Sequence, residues 1–189
     1  MLRKILIKPY MSNCYILGCE KTKQGVIIDP GGEALRIVKE VTKLSLDIRY
    51  ILLTHFHFDH TTGTQEVKNI TKAPVLVHAL DAGGLNFKPD GYISDGQNIP
   101  VGNFNITVIH VPGHSPGGVC FHAPGAVFTG DALFSSGVGR TDFEGGDHNL
   151  LIQGIKQKIL TLGDGLRVYP GHGPHSTIGR ERTMNSFFR

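Results

Sequence analysis

The stretch Thr54-His55-Phe56-His57-Phe58-Asp59-His60, directly behind the apolar run Tyr50-Ile51-Leu52-Leu53, constrains this chain more than any other feature. A short aliphatic run bounded by polar residues reads as a buried strand, and it delivers three imidazoles and a carboxylate in quick succession. In extended chain the side chains alternate, so His55, His57 and Asp59 are expected on one face, with Phe56 and Phe58 turned to the core. Imidazole and carboxylate are ligand types that zinc accepts, and an imidazole with an ordinary pKa of about 6.5 is largely neutral at pH 7. The segment reads as preorganised for metal.

Other short β-branched and aliphatic segments read as strands: Lys4–Lys8, Cys14–Leu17, Val26–Asp29, Val75–His78, Ile106–Val111, Val119–His122, Ala126–Thr129 and Leu166–Tyr169, beside Tyr50–Thr54 itself. Turn residues such as Pro30-Gly31-Gly32, Pro112-Gly113 and Pro124-Gly125 separate them. Two longer segments have helical spacing. Glu33–Leu46 puts Leu35, Val38 and Val41-Thr42 on one side, and Leu150–Leu162 does so with Leu151, Ile155 and Ile159, behind Asp147 as an N-cap. Strands alternating with helices in both halves predict a layered α/β arrangement with helices covering the sheets. The 25 glycines among 189 residues are nearly double the usual share, which suits a strand-rich fold with many tight turns. The length fits one domain over residues 1–189.

Further ligands stand at matching positions. His114 follows Ile106–Val111, Asp131 follows Ala126–Thr129 through Gly130, and His172 follows Leu166–Tyr169 through Pro170-Gly171. Each sits just past the end of a predicted strand, where loops converge along one edge of a sheet. A lone histidine usually has a structural role, and that reading is kept for His78, His110, His122 and His148. His175 either walls a pocket or packs its own loop. A close H-x-H-x-D-H cluster with three separate post-strand ligands is far more specific.

Net charge and cysteines narrow the function classes. The formal net charge is only +3 and no lysine or arginine run forms a stripe, so nucleic acid is not implied. Charges and a proline interrupt the apolar N-terminal stretch before a signal core or membrane span develops, which predicts a cytoplasmic protein without a membrane partner. Cys14, Cys19 and Cys120 lack C-x-x-C spacing, so neither a disulfide framework nor a thiolate zinc site follows.

Four motifs together, THFHFDH at 54–60, VPGHSPGG at 111–118, TGD at 129–131 and YPGHGP at 169–174, resemble the metallo-β-lactamase superfamily, in particular its glyoxalase II-like branch of hydroxyacylglutathione hydrolases. The resemblance implies an αββα sandwich with two divalent metal ions per chain in a cleft at one edge. Zinc is the expected metal, with iron and manganese also compatible. It further implies that His55, His57 and His114 bind one ion, that Asp59, His60 and His172 bind the other, and that Asp131 bridges them. Asp131 stands where many true metallo-β-lactamases have cysteine, which disfavours antibiotic hydrolysis. His57 stands where diiron flavoproteins carry glutamate, and no room remains for a nuclease's extra domain.

The chain is similar to shorter bacterial hydrolases in which GVGRTDF, here Gly137 to Phe143, is paired with a tail like PGHGPHSTIGRERTMNSFF. That tail ends before the helical segment with which full-length glyoxalase II proteins hold glutathione. The function implied is attack of a metal-activated hydroxide on a small-molecule thioester or ester, such as an S-acyl glutathione, with Asp59 orienting the nucleophile. The alternative is a persulfide dioxygenase holding one iron through His55, His57 or His114 with Asp131. Arg140 and Arg180 are the candidates for meeting a substrate carboxylate. Bracing of the loop through Asp142 is the favoured role for Arg140, and bracing of the chain end for Arg180. Asp29 reads as a carboxylate that orients a ligand or fixes its loop. The oligomeric state stays open.

Overall fold

The structure of the chain, a computed structural model, describes residues 1–189. Strands β1 (Leu2–Ile7), β2 (Ser12–Gly18) and β3 (Gln24–Ile28) form an antiparallel meander. Helix α1 (Ala34–Lys43) then carries the chain over to β4 (Asp47–Leu52), which pairs parallel to β3. A single turn α2 (Phe58–Thr61) and helix α3 (Thr64–Thr71) lead to β5 (Val75–His78), followed by the edge strand β6 (Gly91–Ile93), both parallel additions. Parallel neighbours require a crossover, and α1 and α3 supply two of them. The first sheet has the order β1-β2-β3-β4-β5-β6.

The second half repeats the plan. Strands β7 (Asn98–Val101), β8 (Phe104–His110), β9 (Val119–Ala123) and β10 (Ala126–Gly130) are antiparallel. A small hairpin of β11 (Leu133–Phe134) and β12 (Gly137–Val138) follows. Helix α4 (His148–Gly154) runs into a π-helical turn, Ile155–Ile159, and returns the chain to β13 (Arg167–Pro170), parallel to β10. The short strand β14 (Ser176–Thr177) and helix α5 (Ile178–Met184) complete the half, and the sheet order is β14-β13-β10-β9-β8-β7.

Alternation along the strands decides the layering. In β2, β3 and β4 the set Tyr15, Val26, Ile28 and Leu52 faces Ile106, Val108, Phe121 and Phe128 of the second sheet, forming the core between the sheets. The intervening residues Ile16, Ile27 and Ile51 point outward and are covered by Ile37 and Val41 of α1 and Val67 of α3. Burial on both faces is why these strands read as unbroken apolar runs. On the far side, Leu151, Ile155 and Ile159 cover Cys120, Val127 and Val168, with Ile178 of α5 beside them. The result is the expected αββα sandwich. No helix is long and apolar enough to cross a membrane.

Two expectations are corrected. Helix α1 buries Ala34, Ile37 and Val41, while Leu35 is 70% exposed, so the apolar face is rotated from the Leu35/Val38 assignment. The extended conformation also does not continue through the histidine cluster. His57 is the N-cap of α2, so Phe58 swings to the surface, 61% exposed, where its ring meets the edge of Tyr10 at 4.9 Å. Asp147 does cap α4, accepting from the Leu150 amide at 2.9 Å.

Candidate metal centre

The strands β4, β8, β10 and β13 release their loops at one edge of the sandwich, and the seam there is stitched by main-chain bonds. The Asn13 amide donates to Gly171 O at 2.7 Å, the Val119 amide to Thr54 O at 2.8 Å, and the Gly171 amide to Gly130 O at 2.7 Å. The Asn13 side-chain amide and the Tyr15 hydroxyl both donate to Pro170 O, at 2.9 and 2.6 Å. The loop bearing His172 is thereby held by the first sheet as well as by its own. Gly171 is obligatory for steric reasons, since a Cβ there would strike Asp131 Oδ1 and the His60 ring.

These loops bring together all seven residues marked from the sequence as ligands. His55, His57 and His114 offer nitrogens within 4.8 Å of one another, with His57 Nδ1 and His114 Nε2 at 2.9 Å. Asp59, His60 and His172 form a second group. Its Nε2–Nε2 separation is 3.3 Å, and Asp59 Oδ2 lies 3.0 Å from His172 Nε2 and 3.5 Å from His60 Nε2. The Asp131 carboxylate stands between the groups, with Oδ1 3.4 Å from His60 and Oδ2 3.6 Å from His172 and 3.7 Å from His114.

The outer nitrogens define what the inner ones can do. His114 Nδ1 donates to Arg140 O at 2.8 Å and His172 Nδ1 to Met11 O at 3.2 Å, because a carbonyl can only accept. His60 Nδ1 donates to Asp29 Oδ2 at 3.1 Å. The Thr54 hydroxyl gives its proton to Asp29 at 2.6 Å, so its oxygen accepts from His55 Nδ1 at 2.9 Å. Four imidazoles therefore turn lone pairs inward, toward two carboxylates. His55 Nε2 and Asp131 Oδ1 are buried without any hydrogen-bond partner. Such a concentration of lone pairs needs positive charge at its centre, and divalent cations fit a donor set of imidazole and carboxylate without thiolate.

Electrostatics in the bare protein agree. Burial first, then the neighbouring imidazoles, hold His55 well below its usual range and His57 at about 4. For Asp131 burial alone would raise the pKa, but His60 and His55 outweigh it and keep the carboxyl well below its usual range. His60, equally buried, is driven well up by Asp131 and Asp29.

One buried residue escaped the sequence reading. Asp81, 1% exposed in the 3-10 turn Ala79–Gly84, accepts from the Phe56 amide at 3.1 Å, the Ser115 hydroxyl at 2.7 Å and the Gly117 amide at 2.5 Å. It ties the loop of His55 and His57 to the loop of His114, and no local motif around it announces that task. Asp29, at φ +52°, accepts from the Thr54 amide at 2.7 Å and from His60 Nδ1 at 3.1 Å, and its carboxylate also groups with His55 and His60.

Above the ligands opens a cleft of about 870 Å³ with aromatic walls, including Tyr10, Phe58, Phe134 and Phe143. Arg140 lies on its rim. The guanidinium is engaged by Asp142 through two bonds, at 2.7 and 2.6 Å, and stacks over Phe143 at 4.2 Å. Arg180 and His175 are not among the side chains that line the cleft; both are exposed, and His175 has its ring 6.0 Å from that of Tyr169. His78 and His110, read separately as structural, stack on each other at 4.2 Å.

Comparisons with known proteins agree with this geometry. A family profile of the Metallo-beta-lactamase superfamily matches residues 7–172. Hydroxyacylglutathione hydrolase GloC of Haemophilus influenzae is 34% identical, over 97% of this chain and 95% of its own. Among solved structures, the BLEG-1 B3 metallo-beta-lactamase superposes with a TM-score of 0.92 at 35% identity, covering 100% of this chain and 99% of that one. ETHE1 from Myxococcus xanthus gives 0.89 at 31% identity, covering 98% and 83%. By fold, by sequence and by the composition of its histidine–aspartate centre, the chain belongs to the metallo-beta-lactamase superfamily and is similar to its hydroxyacylglutathione hydrolase-like members.

Proposed function

We propose that the chain is a dinuclear metal-dependent hydrolase of small thioesters. The observation that carries this reading is the pair of three-residue groups, His55/His57/His114 and Asp59/His60/His172, with the Asp131 carboxylate between them. In this reading Asp131 is shared by the two groups, and zinc is the expected metal. Divalent ions bound there would supply Lewis acidity that lowers the pKa of a water toward neutrality and polarises a carbonyl.

The protein's own contribution is orientation. Asp59 Oδ2, already within hydrogen-bond distance of His172, is the acceptor that orients the attacking water. A C–O bond forms, the C–S bond breaks, and the sulfur departs as thiolate. A thiol pKa near 8.5 makes that departure easy, whereas an amine needs a proton as it leaves. The similarity to a hydroxyacylglutathione hydrolase supports the same choice.

The likeness to ETHE1 favours a second reading, a mononuclear iron dioxygenase acting on persulfides through the first group and Asp131. The likeness to a B3 metallo-beta-lactamase calls for a β-lactam control as well. The deciding experiment compares kcat/KM for an S-acyl glutathione, a matched oxygen ester and a β-lactam, with zinc-loaded enzyme under anaerobic conditions. Thioester preference without oxygen is expected. Turnover confined to persulfide and oxygen, or faster β-lactam cleavage, would overturn the proposal.

A further inference from the structure

The cleft combines an apolar wall with a shortage of free charge, and both observations bear on what it selects. Tyr10, Phe58 and Phe143 are 48, 61 and 41% exposed, which is unusual for side chains of this size clustered around one opening. Phe143 lies 5.1 Å from the His57 ring and Phe134 lies 6.3 Å from the His172 ring, so apolar surface flanks the centre on both sides. Val138 continues that surface. Apart from the metal-binding residues, the charged side chains of the lining are Arg140 and Glu144, of opposite sign. Arg140 is neutralised again by its two bonds to Asp142. An apolar group placed in the cleft would cover rings that now face water.

We infer that the cleft selects its thioesters by an apolar acyl group, an aliphatic chain of several methylenes or an aromatic ring, over acetyl or small hydroxylated acyl groups. This rests on the thioesterase reading. Phe58 and Phe143 are the specificity-determining side chains. Phe58 reaches the opening because α2 begins at His57, and its one aromatic neighbour is the Tyr10 edge. Each methylene placed against such a wall raises affinity about fourfold.

The test uses zinc-loaded protein and two readouts. Hydrolysis of S-acetyl, S-lactoyl, S-butanoyl and S-hexanoyl glutathione should show kcat/KM climbing with chain length. Calorimetric binding of the thioethers S-methyl and S-hexyl glutathione, which cannot be hydrolysed, should show the hexyl compound at least tenfold tighter. Phe58→Ala and Phe143→Ala should each reduce that hexyl-to-methyl ratio severalfold. A flat or inverted chain-length dependence, equal binding of the two thioethers, or ratios untouched by both substitutions would overturn the inference. Tighter hexyl binding with no hydrolysis of any thioester would uphold the apolar selectivity while removing the thioesterase reading.

Discussion

Asp29 and Thr54 are joined twice, the Thr54 amide donating to Oδ1 at 2.7 Å and the Thr54 hydroxyl to Oδ2 at 2.6 Å. Through that hydroxyl Asp29 reaches His55 Nδ1, and directly it receives His60 Nδ1 at 3.1 Å. One carboxylate thus sets the ring orientation of a histidine in each ligand group. Asp29→Asn replaces an acceptor oxygen by a donor, so zinc affinity should fall by about 10–100-fold. Competition against a chromophoric chelator measures it. Wild-type affinity in the variant would contradict the coupling.

The assignment of the ligands predicts how metal content divides. His60→Ala or His172→Ala should leave about one ion per chain, since the group of His55, His57 and His114 stays intact. Asp131→Ala should weaken both sites, because its oxygens approach both groups. His122→Asn should retain two. Native mass spectrometry after dialysis counts the ions, and two tightly held ions in His172→Ala would defeat the assignment.

Asp81 should matter for stability as well as for the site. Asp81→Ala strands three donors, those of Phe56, Ser115 and Gly117. Unsatisfied buried donors predict a loss of about 2–4 kcal/mol, read from urea unfolding. A change below about 0.5 kcal/mol would show that water or a shifted loop replaces the carboxylate.

The His78–His110 stack predicts a pH effect remote from the metal ligands. Partial burial, then the adjacent His110 ring, lowers the His78 pKa from its ordinary 6.5. A group whose pKa is lower folded than unfolded binds fewer protons when folded. Its contribution to stability is therefore present above pH 6.5 and is lost as pH falls toward the folded value. NMR titration of the zinc-loaded protein should place His78 below 6.5. His78→Asn should flatten the pH dependence of Tm in that window.

Residues with strong local signals were legible in the sequence. The strands whose two faces are both buried, such as Ile27 and Ile28 in β3, announce themselves as apolar runs. The candidate ligands His114, Asp131 and His172 stood out because each follows such a run. Elements with thin burial were not. Helix α3 buries only Thr64 and Val67, β6 and β7 are short edge strands, and α5 buries Ile178 and Glu181. Phe58 was misplaced because period-2 alternation says nothing about a chain turning into a helix at His57. Asp81 could not be read because its partners lie 25 to 36 residues away.

On the proposed ligand assignment, the seam between the two sheets has a consequence for how metal would be acquired. His55, His57, Asp59 and His60 belong to the first half, whereas His114, Asp131 and His172 belong to the second. Neither half alone closes the His55/His57/His114 group or the Asp59/His60/His172 group. A chain emerging from the ribosome therefore cannot build either group until the second half begins to dock, and loading is tied to assembly of the sandwich. Ions held by those two groups would contact both halves and act as a clasp, adding RT ln(1 + [L]/Kd) against separation of the sheets. Chelation should then speed amide exchange along the Asn13–Gly171 and Thr54–Val119 contacts before it loosens either sheet.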